Sequence, residues 1–462
     1  LGVNAVQFVP IYDQANDEIA LPFNWGYNPR NYNVLEGGYS SDPHDGYARI
    51  KEFKELVMAY NQAGINIIMD VVYNHTYHTD NPLHHTAPYY YHRIDENGNF
   101  SNASGCGNET ASNHLMMRRF MINSLKYLAT EYKLDGFRFD LMGLHDIETV
   151  NIIRDELNKF DPSLLMYGEG WAGGTPGIPY DKLSMKFNSY SFGRVGLFND
   201  NLRDAIKGGT FNVYDQGYVN GNRDFSAVLK RGIVGSVPHW QLNDAKDACW
   251  AFEPTQAINY CEAHDNNTLW DKLAISAKDR SREDRVKMDK LAAAILMLSQ
   301  GVPFIQLGQD FLRSKPRILK EGEQPNDHNI FSHDSYNAPD YTNAVKWNEK
   351  AENIEVFRYY KALINLRKNS PLLRLRTKED VGRCLKFHDT GDNNLIAYSL
   401  ENETEGLFIV FNPYDEEKWV NVPEGKYYIR LNGNGKMNKF PLSGGLKIPP
   451  ISAIVLKKIK DK

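Results

Sequence analysis

Asp135-Gly-Phe-Arg-Phe-Asp-Leu-Met-Gly143 sets Arg138 and Asp140 two residues apart in a short, otherwise apolar run. Side chains on a strand alternate between its faces, so the two charged groups project from one face. Phe137, Phe139 and Leu141 then take the other, as expected of a parallel strand covered by helices on its outer side. The charged pair therefore points inward. Read alone, it fits a structural ion pair as well as a functional one, and the choice rests on the rest of the chain.

Working outward, strands and helices take turns. Apolar strand runs at Asn4–Phe8, Ile65–Val72, Leu164–Gly168, Val195–Phe198, Ala257–Cys261 and Pro303–Leu307 join the opening stretch to make seven. Helical spacing of apolar residues marks Arg49–Ala63, Leu115–Tyr132, Ile147–Phe160, Lys290–Ser299 and Asn353–Lys368 between them. Such alternation implies parallel strands joined by crossovers. An eighth strand ahead of Leu1 would complete a (β/α)8 barrel, so the fold class expected is a TIM-type barrel lacking its first strand. The chain is accordingly expected to be a fragment of a longer one. Ile11–Asp45 has no period and reads as a long loop, of the kind that tends to carry function. After Pro371 short strands separated by turns replace the alternation, which predicts an antiparallel β-sandwich. The expected domains are therefore a barrel over residues 1–370 and a sandwich over 371–462.

Composition narrows the partners. Lys plus Arg number 53 against 58 Asp plus Glu, a net charge of -5, so there is no basic footprint for nucleic acid or an anionic membrane. No apolar run is long enough to cross a bilayer. The four cysteines are widely spaced, with no metal-type Cys/His grouping, and read as unpaired. An aromatic share of 12% is compatible with stacking on sugar faces.

Polar residues gather where a barrel keeps its active site, at the C-terminal ends of the strands. One strand delivers Asp70, Asn74 and His75; another delivers Arg138 and Asp140; a third ends at Glu169 and Trp171; a fourth ends at His264 and Asp265. Any one of these is an ordinary loop cap. Four together would make an unfavourable core, because buried charge must be compensated group by group. Several acids converging with one Arg and two His suit glycoside hydrolysis. Asp140, beside Arg138, is the natural ionised nucleophile. Glu169 suits the protonated partner if neighbouring acids and burial raise its pKa, and His75, His264 and Asp265 are left to hold sugar hydroxyls. The chemistry calls for no metal or cofactor.

Taken in order, Asp70-Val-Val-Tyr-Asn-His75, Gly136-Phe-Arg-Phe-Asp140, Gly168-Glu-Gly-Trp171 and Ala263-His-Asp265 resemble the four signature regions of the α-amylase family, glycoside hydrolase family 13. Phe23-Asn-Trp-Gly-Tyr-Asn-Pro29 is similar to the hallmark of its type I pullulanases, with Phe23 where Tyr is usual. Asp140-Leu-Met-Gly143, Gly105-Cys-Gly-Asn108 and His264-Asp-Asn-Asn-Thr-Leu-Trp-Asp-Lys272 look like the same subfamily. The resemblance implies Asp140 as nucleophile, Glu169 as general acid/base and Asp265 as stabiliser of the distorted sugar. It implies Tyr27 stacked under the sugar, Trp171 on the acceptor side, and Asp70, His75, Arg138 and His264 as surrounding hydrogen-bonding groups. It further implies α-1,6 bond specificity on an α-glucan such as pullulan, amylopectin, glycogen or a limit dextrin. A structural calcium is compatible with the resemblance, though no residue grouping in the sequence points to one. By analogy the enzyme is expected to be a monomer that is secreted, periplasmic or on the cell surface, where polymeric glucan is met. Two alternatives stand beside this reading: an α-1,4-acting amylase or neopullulanase on the same barrel, and a non-catalytic glucan-binding relative.

Overall fold

Strand Asn66–Val71 shows why a parallel sheet forms. Residues 67–71, Ile, Ile, Met, Asp and Val, are buried in succession, which requires cover on both faces. In the computed structural model, which describes residues 1–242, 249–433, 435 and 442–459, the chain divides into two compact units. One is Val3–Phe198; the other is Leu1–Gly2 with Asn199–Lys462.

The first unit holds strands β1 (Ala5–Phe8), β2 (Tyr12–Gln14), β3 (Pro29–Leu35), β4 (Asn66–Val71), β5 (Gly136–Phe139), β6 (Leu165–Gly168) and β7 (Gly196–Phe198). β1, β4, β5, β6 and β7 pair in that order, all parallel. Helices Gly46–Gln62, Leu115–Tyr132 and Ile147–Phe160 lie between successive strands. Two of them start where an Asp side chain accepts from the first turn, Asp45 from Tyr47 N and Asp146 from Thr149 N. The helix starting at Gly46 is followed closely by Gly64 at a φ of 72°, a left-handed position that favours glycine. The expectation of an unpaired loop over residues 11–45 is corrected: β2 and β3 pair antiparallel inside it. β3 escapes a period-two reading because its buried residues recur every third position, Pro29, Tyr32 and Leu35.

The second unit contributes the parallel pair β8 (Ala257–Asn259) and β9 (Val302–Pro303). Among the described residues the parallel strands thus number seven, as expected. β9 is much shorter than the run Pro303–Leu307 implied; one further bond, Phe304 N to Asn259 O at 2.7 Å, ends the ladder. The helix expected at Lys290–Ser299 starts earlier, at Arg282, capped by Ser281. The C-terminal strands are β10 (Leu385–His388), β11 (Ile396–Glu401), β12 (Gly406–Asn412), β13 (Lys418–Asn421), β14 (Tyr427–Leu431), β15 (Gly445–Ile448) and β16 (Ser452–Lys458). They form an antiparallel sheet ordered β10-β11-β12-β16-β14 and a two-stranded sheet β13-β15. Ala397, Phe408, Val410 and Leu456 of the larger sheet share one apolar core with Val420 and Ile448 of the smaller, the two-layer packing of a sandwich. Residues 378–384, within a stretch expected to hold only short strands and turns, form a helix capped by Thr377. All four cysteines are free. No helix among the described residues is long and apolar enough to cross a membrane.

Candidate active site

The register of the first unit builds one row of polar side chains. Asp70 of β4 stands opposite Arg138 of β5, and Arg138 opposite Tyr167 of β6. Because side-chain direction repeats along paired strands, the three project from the same face. Arg138 is 2% exposed and serves as the hub. Its Nη1 donates to both Asp70 oxygens, at 2.9 and 2.8 Å, and to Asp140 Oδ1 at 3.0 Å. Its Nη2 donates to Glu169 Oε1. The guanidinium also lies 5.7 Å from the ring centroids of Tyr27 and of Phe198. The planar guanidinium carries five N–H donors in a fixed geometry, which suits it to holding several carboxylates at set positions.

Each acid then has its own second set of partners. Asp70 also accepts from the Tyr27 hydroxyl at 2.8 Å. Burial pushes its carboxyl up to about 7, against the pull of Arg138 and with Asp140 adding to the rise. Asp140 sits one residue past β5, its amide still bonded to Val71 O at 3.1 Å. Its Oδ2 accepts from Asn74 Nδ2 at 2.8 Å, and the same amide group reaches the Asp140 carbonyl at 3.0 Å. Glu169 Oε2 accepts from the Leu141 amide at 2.9 Å. A guanidinium and a main-chain N–H are thus among the groups bonded to Glu169. Arg138 links Glu169 to the neighbouring acids Asp70 and Asp140.

Backbone shape makes this possible. Leu141 takes a φ of 39°, a left-handed conformation uncommon for a branched side chain, so it leaves the strand and does not share the outer face with Phe137 and Phe139. The turn brings the Gly143 amide onto the Glu169 carbonyl at 2.8 Å. A side chain at Gly143 would press on the Trp171 backbone, its Cβ 2.6 Å from the amide nitrogen. Glycine is required there by proximity.

His75 is buried, and both ring nitrogens face protein groups. Nδ1 is 2.7 Å from Asn74 Oδ1, and Nε2 is 3.0 Å from the Tyr27 carbonyl. Burial lowers its pKa, although Asp140 opposes this. In this geometry His75 orients Asn74 and Tyr27, where the sequence suggested a sugar hydroxyl. The Trp25 ring is buried edge-on to Tyr27, centroids 6.4 Å apart. Tyr27, Asp70, His75, Arg138, Asp140 and Glu169 are thus gathered in the first unit, with Trp171 held against Gly143. His264 and Asp265 belong to the second unit, where His264 Nε2 lies 3.6 Å from Asp265 Oδ1 and the Asp265 side chain is 51% exposed.

Two further members escaped sequence reasoning. Tyr167 donates to Gln7 Oε1 at 2.6 Å, and Gln7 Nε2 lies 3.5 Å from Asp70 Oδ2. Aligning the strand ends would have placed Tyr167 beside Arg138; nothing in the sequence singles out Gln7. Among the described residues the three acids close enough to share a cation are Asp13, Glu18 and Glu36, outside the Arg138 set. Arg49 and main-chain amides already bond the last two.

Comparison with known proteins places these features. Residues 1–93 match the model of the alpha amylase catalytic domain. Residues 338–436 match that of alpha-1,6-glucosidases, pullulanase-type, C-terminal. The chain is 38% identical over 404 residues to the pullulanase of Bacillus subtilis (strain 168), which covers 87% of this chain and 53% of that protein. The solved pullulanase from Bacillus acidopullulyticus is 37% identical with a TM-score of 0.90, covering 99% of this chain and 54% of that one. The pullulanase from Paenibacillus barengoltzii in complex with maltohexaose and alpha-cyclodextrin is 36% identical with a TM-score of 0.89, covering 99% of this chain and 70% of that one. The chain spans about half the length of the curated relatives it matches. Strands, strand-end acids and matches together define an α-amylase-type barrel followed by an antiparallel C-terminal sandwich. Within that superfamily, the chain belongs to the type I pullulanases of glycoside hydrolase family 13.

Proposed function

We propose that the chain is the catalytic part of a retaining debranching enzyme, which hydrolyses α-1,6-glucosidic linkages in pullulan, amylopectin, glycogen or limit dextrins. The observation that carries this is a single guanidinium, Arg138, shared by the carboxylates of Asp70, Asp140 and Glu169 at adjacent strand ends. The choice of linkage is supported by the pullulanase-type match at residues 338–436, and an α-glucan ligand by the maltohexaose complex of the Paenibacillus barengoltzii relative.

In the first step the Asp140 carboxylate bonds to the anomeric carbon, the glycosidic bond breaks, and the leaving oxygen takes the proton of Glu169. In the second, water attacks the anomeric carbon, gives its proton to Glu169 and releases Asp140. Asn74 and Arg138 hold the two Asp140 oxygens for attack. Burial raises the Asp70 carboxyl to about 7, so a proton is held within the cluster near neutral pH. Approach of the leaving oxygen puts that proton to use on Glu169. Asp265 is assigned to stabilise the distorted sugar, Tyr27 to lie under it, Trp171 to the acceptor side and His264 to a sugar hydroxyl, while His75 orients Asn74 and Tyr27. The reading assigns no metal or cofactor to the reaction.

Product analysis on pullulan tests it. Maltotriose released first as the α-anomer is expected. Panose in its place would overturn the linkage, and an initial β-anomer would overturn the covalent route.

A further inference from the structure

We propose that Lys315 is a positioning residue for the reaction, fixing the main chain of the loop that carries Asp265. The inference rests on the role given to Asp265 above. β8 ends at Asn259 and the next helix begins at Leu269, so Asp265 stands on irregular backbone. Such a segment has no ladder to hold it and depends on side-chain bonds. Its middle is held from outside: the Lys315 ammonium donates to the His264 carbonyl at 2.9 Å. Its far end is held locally, where the Thr268 hydroxyl accepts from Asp271 N at 3.1 Å and the Glu262 carboxylate accepts from Leu269 N. Between these anchors Asn266 sits at a φ of 60°.

The hold is reciprocal. The Asp271 carboxylate accepts from the Lys315 amide at 2.8 Å and from the Ser314 hydroxyl at 2.6 Å. The segment bearing Lys315 and the loop bearing Asp265 are thus clasped in both directions. Lys315 is 1% exposed, and burial lowers its pKa to about 8 against Asp271, Asp265 and Glu262, which raise it, while Arg313 adds to the fall. A buried ammonium is unfavourable unless it is bonded and faces opposite charge. Here it meets both conditions at the residue next to Asp265. With so little exposure it acts through the main chain and not by touching substrate.

The test is a double-mutant cycle in the whole protein that carries this chain, with pullulan as substrate. Lys315→Met should lower kcat by about 10²-fold with little change in KM, the cost of a reacting group misplaced by an ångström. In an Asp265→Asn background the same change should cost little more, because the anchor then has nothing to position. A folded Lys315→Met enzyme with parental kcat, or an equal loss with and without Asp265, would overturn the proposal. Should Lys315→Met not fold, Ser314→Ala removes one strut of the clasp without altering charge. A kcat loss seen only when Asp265 is present then supports the proposal, and unchanged kcat overturns it. If Asp265→Asn alone keeps full activity, the role given to Asp265 fails whatever Lys315 does.

Discussion

The division of labour among the acids is set at the residue scale by which donors each one meets. Asp140 has both oxygens fixed, by Arg138 and by Asn74, as suits an attacking group. Glu169 is bonded to Arg138 and to the Leu141 amide, yet its task requires delivering and recovering a proton. Replacing it with Gln keeps size and one acceptor while removing the proton. Glu169→Gln should therefore lower kcat by about 10²–10⁴-fold and leave glucan affinity nearly unchanged, as measured by steady-state kinetics on pullulan and by binding of a maltooligosaccharide. Unaltered turnover would remove Glu169 from the mechanism. The inward-facing Arg138-Asp140 pair was legible in nine residues of sequence. What those residues could not convey is that Asp140 shares its Arg with two other acids, because β4 and β6 are far away in the chain and adjacent only through register.

At the scale of elements, the turn after β5 matters more than the strand. Leu141 turns left-handed, Gly143 bonds the Glu169 carbonyl, and the close approach of Trp171 leaves no room for a Cβ. Leu141-Met142-Gly143 pointed to a subfamily on sequence, and the structure supplies a physical reason for its last residue. Gly143→Ala should strain the contact between the β5 and β6 ends, destabilising by about 1–3 kcal/mol, as overpacking does. It should also lower kcat more than it changes KM, since Glu169 lies on the displaced segment. Thermal denaturation and kinetics check the two effects separately, and a fully active, equally stable variant would show that the contact relaxes freely. Strand and helix identity was readable wherever apolar periodicity was strong, as in Leu115–Tyr132 and Ile147–Phe160. It failed for β3, whose burial recurs every third residue, and for the helix Lys378–Cys384, where a capping Thr377 outweighs a strand-like continuation into β10.

For the whole molecule, seven parallel strands and the terminal sandwich could be counted from alternation alone, whereas the buried polar groups that tune stability could not. His145 shows what was hidden. It follows the β5 turn and packs edge-on against Phe139 at 6.2 Å. Its side chain is buried, and its ring nitrogens have no hydrogen-bond partner among the described residues. Burial lowers its pKa to about 3, with Arg93 adding to the fall and Asp146 opposing it. His92 is lowered in the same sense, to about 4. In the unfolded chain a histidine titrates near 6.5. Above that pH the ring is neutral in both states and has no effect on the balance. As pH falls, the unfolded chain takes up a proton that the folded protein refuses, so stability is lost progressively between about pH 6.5 and 3. His145 alone should account for about 2 kcal/mol between pH 6.5 and 5. His145→Gln, neutral throughout, should remove that part of the slope, so that the variant loses less stability than the parent on acidification, whatever its stability at neutral pH. Denaturation midpoints measured at pH 7, 6 and 5 decide it. Parallel curves for parent and variant would mean that solvent or a rearranged neighbour reaches the ring before the fold gives way.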